Sequence, residues 1–159
     1  MNTELTEARS ASQAKLHEAG DAWLAGCAAH PDLVRAAWDQ AQLAPIASGG
    51  DWLVAEARIT TGYPALVRMR AERWGPVLAD LESDKLWWLV TLDAAEELAD
   101  VRQLVVHPPG WCLRCPPTGW KLEGRVWITR PDGSGRRTDS AVLAAAFGPG
   151  GYRLPPEAS

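Results

Sequence analysis

Apolar residues recur at helical spacing in the first quarter of the chain. Residues 3–29 predict a helix with a break at Gly20, because glycine weakens a helix interior. The apolar stripe of this helix consists of Leu5, Leu16, Trp23 and Leu24. Pro31 then opens a second, shorter helix, since proline is favoured in the first helical turn.

From residue 51 onward the apolar runs are short and separated by Gly, Pro and Asp. Such runs are typical of strands joined by turns. The predicted strands are 51–58, 76–79, 85–91, 101–107, 111–115 and 125–129. Helices are predicted over 60–74, over one or two turns in 93–98, and over 140–147. Asp139 is the expected N-cap of the last helix.

Helices that precede short strands mixed with further helices predict an α+β fold. We expect a mixed or antiparallel sheet of about five strands with helices mainly on one face. The chain of 159 residues predicts a single domain over residues 1–147, of which 1–29 form a helical segment. The Gly- and Pro-rich residues 148–159 are predicted to be a flexible tail.

Composition excludes several classes of protein. A hydrophobic content of 47% with dispersed charge is typical of a soluble globular domain. No apolar run approaches the ~18 residues that a membrane span needs, and the acidic N-terminus does not resemble a secretory signal. Three cysteines, an odd number, favour a reducing compartment, so we expect a cytoplasmic protein. The oligomeric state stays open.

Charge is distributed unevenly along the chain. The formal net charge is −4, yet residues 114–137 hold six basic residues against two acids. A basic segment in an acidic chain favours contact with phosphate, and a solvated hairpin rim is the alternative. The candidate nucleic-acid contacts in this segment are Lys121, Arg125, Arg130, Arg136 and Arg137.

Tryptophan dominates the aromatic content, with nine residues against one Phe and two Tyr. Trp87 and Trp88 are adjacent on a predicted strand, so their side chains point to opposite faces of the sheet. At most one of them can lie in the core that the helices cover. The other is a candidate for stacking on single-stranded bases, and core packing is the alternative.

The candidate metal ligands are few. Cys112 and Cys115 form a lone CxxC pair, but residues i and i+3 of a strand point to opposite faces, and zinc would need two further ligands. We therefore interpret both cysteines as small apolar residues and predict no metal and no cofactor. His107, ahead of two prolines, could serve as a ligand or base, although a strand-end histidine without such a role is commoner.

The order of the segments resembles a known family. The segments that carry the resemblance are Trp23-Leu24-Ala25, His30-Pro31-Asp32-Leu33-Val34, the strand 52–58, Gly75-Pro76-Val77-Leu78, the strand 85–90, Gly110 to Pro117 with its Cys112-Leu113-Arg114-Cys115, and Pro131 to Gly135 followed by Thr138-Asp139. Over residues 20–147 they resemble the N-terminal bifunctional DNA primase/polymerase domain, an archaeo-eukaryotic primase-polymerase-like family widespread in actinobacteria. The chain looks most similar to its short, single-domain members.

The resemblance implies the fold without implying the polymerase reaction. Active members of the family place an Asp-x-Asp pair on the first strand, a histidine on a later strand and another acid beyond it. By position, Glu56 matches the first acid, Arg58 replaces the second, Lys85 falls near the histidine, and 101–103 offers no final acid. A metal ion needs anionic oxygen ligands, and Arg58 would repel it. Glu56 is therefore the one candidate catalytic residue that the resemblance supports.

Three functions stay open from the sequence. The first is a non-catalytic nucleic-acid-binding or DNA-replication accessory module, with DNA or a replication protein as its partner. The second is a regulatory protein-interaction domain with no nucleic-acid role. The third is a metal-dependent nucleotidyltransferase with an atypical acid set, such as Glu56 with Asp80 or Asp84.

Overall fold

The computed structural model describes residues 2–148. The helices are α1 (Asn2–Gly26), α2 (Pro31–Asp39), α3 (Ile59–Arg68), α4 (Ala94–Glu97) and α5 (Ser140–Phe147), with a 3₁₀ turn at Ala71–Arg73. The strands are β1 (Ala44–Ala47), β2 (Leu53–Arg58), β3 (Val77–Asp80), β4 (Lys85–Val90), β5 (Val105–His107), β6 (Cys112–Cys115) and β7 (Arg125–Thr129). Apart from Gly148, the predicted tail lies outside the described residues.

Five strands form one antiparallel sheet in the order β5-β2-β4-β3-β7. This confirms the predicted α+β class. The remaining strands, β1 and β6, pair with each other in a separate two-stranded antiparallel sheet. The sequence did not predict β1, because Ala44-Pro45-Ile46-Ala47 has only one β-branched residue and contains a proline, and both features weaken a strand signal.

The five-stranded sheet is buried on both faces. Helices α3, α4 and α5 cover the first face, where Trp88 meets Phe147 edge to face with ring centroids 5.9 Å apart. The small β1–β6 sheet, α2 and the C-terminal part of α1 cover the second face. The second-face core includes Trp38, Ile46, Val54, Leu78, Trp87, Leu89, Leu113 and Trp127. Burying large aromatic side chains on both faces supplies much of the hydrophobic stabilisation.

Helix α1 is continuous, so the predicted break at Gly20 is wrong. A side chain at position 20 would collide with the carbonyl oxygen of Pro131, so the glycine permits a close approach between the helix and the loop after β7. The predicted apolar stripe is only partly buried, since Leu24 lies in the core while Leu5 is 65% exposed. No helix in the described part of the chain is both long enough and apolar enough to span a membrane.

Several predicted element ends differ from the structure. The helix predicted over 60–74 ends at Arg68, because the chain turns extended at Met69 and resumes only as a 3₁₀ turn. The strand predicted over 101–107 is confined to β5. The predicted cap of α5 is confirmed, because the Oδ1 atom of Asp139 accepts the Ala141 N–H at 2.8 Å.

Candidate nucleic-acid interface

The second face of the five-stranded sheet is apolar at one end and charged at the other. The charged end begins with one cross-strand row contributed by β2, β4, β3 and β7. That row consists of Arg58, Lys85, Asp80 and Arg125, each registered beside the next. Glu56 lies in the adjoining row, opposite Trp87. The register therefore brings Glu56 close to Lys85, two positions that the resemblance singled out.

Glu56 is held by three neighbours. Its Oε1 atom accepts the indole N–H of Trp87 at 2.8 Å and lies 3.0 Å from Nε2 of His107, while its Oε2 atom is 3.7 Å from Nζ of Lys85. Partial burial by itself raises the pKa of Glu56. The hydrogen bonds from His107 and Trp87 and the positive charge of Lys85 outweigh burial, so the pKa is held below its ordinary value.

His107 belongs to this network, although its place at a strand end favoured a histidine without a functional role. Strand β5 pairs with β2 and places His107 diagonally across from Glu56. The imidazole stacks on Trp111, with ring centroids 3.8 Å apart and an interplanar angle of 6°. The signal that could have found it is the apolar strand 104–106 immediately ahead of it, which predicts pairing beside the strand that carries Glu56.

Asp80 and Arg125, which are neighbours in this row, form an ion pair with each other. The Nε atom of Arg125 lies 3.2 Å from Oδ2 of Asp80, and its Nη1 atom donates to the Arg114 carbonyl at 2.6 Å. The guanidinium carbon sits 4.5 Å from the ring centroid of Trp87, which is cation–π geometry. Burial raises the pKa of Asp80, but the Ser83 and Glu82 N–H groups and Arg125 outweigh it and lower the pKa. Arg125 therefore stabilises the domain internally.

The acids proposed for an atypical nucleotidyltransferase are already engaged. Glu56 faces Lys85 and His107, Asp80 faces Arg125, and Asp84 pairs with Arg58 at 2.9 Å. Glu56 and Asp84 border a cleft of about 350 Å³. Within residues 2–148, no group of three His, Cys, Asp or Glu side chains is placed to hold a metal ion. A divalent ion entering this cleft would have to displace existing cations from the carboxylates.

Trp87 and Trp88 point to opposite faces, as the strand periodicity predicts, but both are buried. Trp87 is 2% exposed and Trp88 is not exposed at all. Neither ring offers a free surface to a base. The prediction that Trp87 and Trp88 contact nucleic acid is therefore corrected, because both rings are part of the core. The tryptophan that the structure leaves open is Trp120, which is 56% exposed.

The predicted basic segment does not form one surface. Lys121 precedes β7 and Arg125 begins it, whereas Arg130 follows its end. Arg125 and Arg130 are separated by about five residue steps of extended chain, or about 17 Å. Arg136 and Arg137 come later, and the Nη1 atom of Arg137 donates to the Asp51 carbonyl at 2.6 Å, beyond the opposite end of β2 from Arg58.

Arg136 lies beside a second group of arginines, in residues 68–73, which the basic segment 114–137 does not include. Arg136 donates from Nη1 to the Trp74 carbonyl at 3.4 Å, one residue beyond the 3₁₀ turn. The Gly75 N–H donates to Oγ1 of Thr138 at 3.0 Å, which fixes the two segments together. We call the exposed arginines of both segments the arginine surface. It consists of Arg68, Arg70, Arg73, Arg130, Arg136 and Arg137.

The arginine surface has a net positive charge. Its two segments, 68–73 and 130–137, contain six arginines against two acids, Glu72 and Asp132. Glu72 is 3.8 Å from Arg70, in an ion pair that both side chains hold largely in solvent. Arg68, Arg70 and Arg73 border an open cleft of about 400 Å³ against Val142 and Ala146 of α5. The cleft has room for a segment of a larger ligand.

The two cysteines of the CxxC pair have different surroundings. Cys112 is exposed and Cys115 is completely buried, because β6 points them to opposite faces. Burial raises the pKa of the Cys115 thiol well above its ordinary range. They are therefore not placed to ligate one ion together.

Comparison with protein-family models, with curated proteins and with solved structures gave no match to this chain. The resemblance to primase-polymerase domains therefore stays a prediction from the sequence.

Proposed function

We propose that this chain is a non-catalytic, primase-polymerase-like domain that binds nucleic acid through the arginine surface. The observation that carries the proposal is the meeting of two arginine-rich segments at Trp74 and Gly75. Nothing in the amino-acid order alone brings residues 68–73 next to 130–137. The fold concentrates positive charge on a chain whose net charge is −4.

A polyanion is the ligand that this chemistry favours. A guanidinium presents planar, paired N–H donors that match phosphate oxygens, and its charge is retained at every physiological pH. Each phosphate that an arginine neutralises releases condensed counterions, which drives association at low salt. Carboxylate ligands of small size would not need six arginines spread over two segments.

The charged row supports the non-catalytic part of the proposal. Nucleotidyl transfer by two metal ions requires carboxylates that can bind those ions. Glu56 instead accepts hydrogen bonds from Trp87 and His107, and Asp80 is held by Arg125. These contacts favour a structural role for both acids.

The direct test is binding of fluorescently labelled single- and double-stranded DNA, followed by anisotropy at about 50 mM and about 200 mM salt, which lie below and above the physiological ionic strength of about 0.15 M. We expect binding that weakens with salt, and an Arg70→Gln/Arg73→Gln variant should bind at least about tenfold more weakly, as expected when two phosphate contacts are lost. The matched control is Arg102→Gln/Arg114→Gln, which removes two exposed arginines outside the surface.

Primer extension with Mn²⁺ and deoxynucleotides tests the absence of catalysis in the same preparation. The proposal expects no incorporation. Incorporation that Glu56→Gln abolishes would contradict it and restore the nucleotidyltransferase alternative. DNA binding that is absent, or lost equally in the control variant, would also contradict it and would favour a protein-interaction domain instead.

A further inference from the structure

Trp120 has 56% of its surface exposed and lies between β6 and β7, in a segment that is anchored to α1. The backbone N–H of Thr118 donates to Oδ1 of Asp21 at 2.8 Å, and the Thr118 hydroxyl donates to the His17 carbonyl at 3.1 Å. Hydrogen bonds therefore fix the segment that carries the exposed ring. A ligand that covers the ring does not first have to order the chain around it.

Trp120 lines a cleft of about 360 Å³ between α1, α2 and this segment. Three acids and one base also line the cleft, so its net charge is negative; they are Glu18, Asp21, Asp39 and Arg35. The base is already paired, since Nη2 of Arg35 lies 2.8 Å from Oε1 of Glu18. Phosphates are repelled by such surroundings, which disfavours the stacking of nucleic-acid bases on Trp120.

The position of Asp39 favours a cation in the cleft. Asp39 is the last residue of α2, at the negative end of the helix dipole, and the last turn of α2 contains no basic residue. None of the ion pairs formed within residues 2–148 includes Asp39. A carboxylate at a helix C-terminus is unfavourable unless a cation lies beside it, so a bound cation would stabilise this end of α2.

We propose that this cleft binds a basic segment of a partner protein, with an arginine side chain of the partner stacked on Trp120 and held by the acids of the cleft. A guanidinium is planar, so it stacks on an aromatic ring while its N–H groups donate to carboxylates. Tryptophan and arginine are also enriched among the residues that dominate protein–protein binding energies. The cleft shares no residue with the arginine surface, so this binding does not depend on the proposed nucleic-acid function.

The test is calorimetric titration of the full chain with an acetylated and amidated synthetic peptide in which arginine alternates with glycine. The same peptide with citrulline in place of arginine keeps the shape of the side chain and removes its charge. The site variants are Trp120→Ala and Asp39→Asn. Their matched controls are Tyr63→Ala, which removes an exposed aromatic ring on α3, and Glu97→Gln, which neutralises an exposed acid on α4. Thermal unfolding checks that every variant folds.

We expect the wild type to bind the arginine peptide at least about tenfold more tightly than the citrulline peptide. Trp120→Ala should weaken binding of the arginine peptide about fivefold and Asp39→Asn about threefold, whereas both controls should bind it as the wild type does. Absent binding of the arginine peptide overturns the proposal. Equal weakening by site and control variants also overturns it, because the attraction then comes only from the net charge of the chain.

Other occupants of the cleft give different results, and each of these contradicts the proposal. If nucleic-acid bases stack on Trp120, Trp120→Ala weakens DNA binding and leaves the affinity for the arginine peptide unchanged. If a second copy of this chain fills the cleft, sedimentation of the wild type shows a concentration-dependent dimer that Trp120→Ala dissociates.

Discussion

The Nε2 atom of His107 lies 3.0 Å from the Oε1 atom of Glu56, although 51 positions separate these residues in the chain. Pairing of β5 with β2 creates this contact, and Trp87 on β4 adds a second hydrogen bond to the same oxygen. The Glu56 carboxylate therefore links β2, β4 and β5 of the sheet. This relationship gives the Glu56 carboxylate a structural role in the sheet.

Replacing Glu56 by glutamine should reduce stability in a pH-dependent way. Because the folded-state pKa of Glu56 is lowered, its charge stabilises the fold above the unfolded pKa of about 4.3, and this contribution is lost as the pH falls through the folded pKa. We expect Glu56→Gln to lose about 1–3 kcal/mol at pH 7. The difference from wild type should shrink below about pH 4.

Urea unfolding at pH 7 and at pH 3.5 measures this difference in stability, because the two pH values lie on either side of the unfolded-state pKa of about 4.3. The control is Glu97→Gln, an exposed acid on α4. The pKa values of Asp80 and Asp132 are lowered as well, but both residues are present in wild type and variant, so the comparison isolates Glu56. Equal stability of wild type and Glu56→Gln at pH 7 would show that the network does not stabilise the fold.

Replacing Arg125 should affect stability and leave nucleic-acid binding intact. Arg125→Gln removes the ion pair with Asp80 and the cation–π contact with Trp87, and it leaves a buried carboxylate without its cation. We expect a loss of about 2–4 kcal/mol. Chemical unfolding and DNA anisotropy on the same sample separate the two effects. A loss of DNA affinity without a loss of stability would place Arg125 in the interface after all.

Replacing Gly20 should lower the stability of the protein, although this residue lies within a helix. In an unobstructed helix, Gly→Ala stabilises by up to about 1 kcal/mol. At Gly20 the added methyl meets the Pro131 carbonyl, so we expect Gly20→Ala to destabilise by about 1–3 kcal/mol. Gly26→Ala is the control on the same helix, because nothing lies within 4 Å of the added group. Thermal unfolding distinguishes them, and a Gly20→Ala variant as stable as wild type would refute the packing explanation.

The thiols should differ sharply in reactivity. Cys112 is exposed, whereas burial raises the pKa of both Cys27 and Cys115. Because the thiolate is the reactive form, we expect one rapid reaction with a disulfide reagent in the native protein and three after unfolding. Cys112→Ser should remove the rapid phase. A rapid phase that survives this substitution would mean that a second thiol is accessible.

The fold was predictable wherever local signals agree. The adjacent Trp87 and Trp88 predict a strand with one tryptophan on each face, although not that both are buried, and Asp139 predicts the start of α5. Local signals failed where a distant contact decides the structure. Gly20 lies within a continuous helix because the Pro131 loop packs against it, and β1 exists because β6 supplies its hydrogen bonds.

The candidate site was predictable only in part for the same reason. The basic segment indicated Arg130, Arg136 and Arg137 by composition, but their neighbours Arg70 and Arg73 lie about sixty positions earlier in the chain. Arg125 belongs to the same segment and faces inward, because strand alternation and the carboxylate of Asp80 direct its side chain. Charge along the sequence does not distinguish an exposed arginine from one that packs on a tryptophan.

The most direct test of the central claim is the salt dependence of single-stranded DNA affinity for wild type and Arg70→Gln/Arg73→Gln. The logarithm of the association constant falls linearly with the logarithm of salt concentration, by about 0.7 per phosphate neutralised on a single strand. We predict a steep slope for wild type, and a slope shallower by about 1.4 for the double variant. Arg102→Gln/Arg114→Gln should keep the wild-type slope. Identical slopes for all three proteins, or no affinity at low salt, would contradict a nucleic-acid interface at the arginine surface.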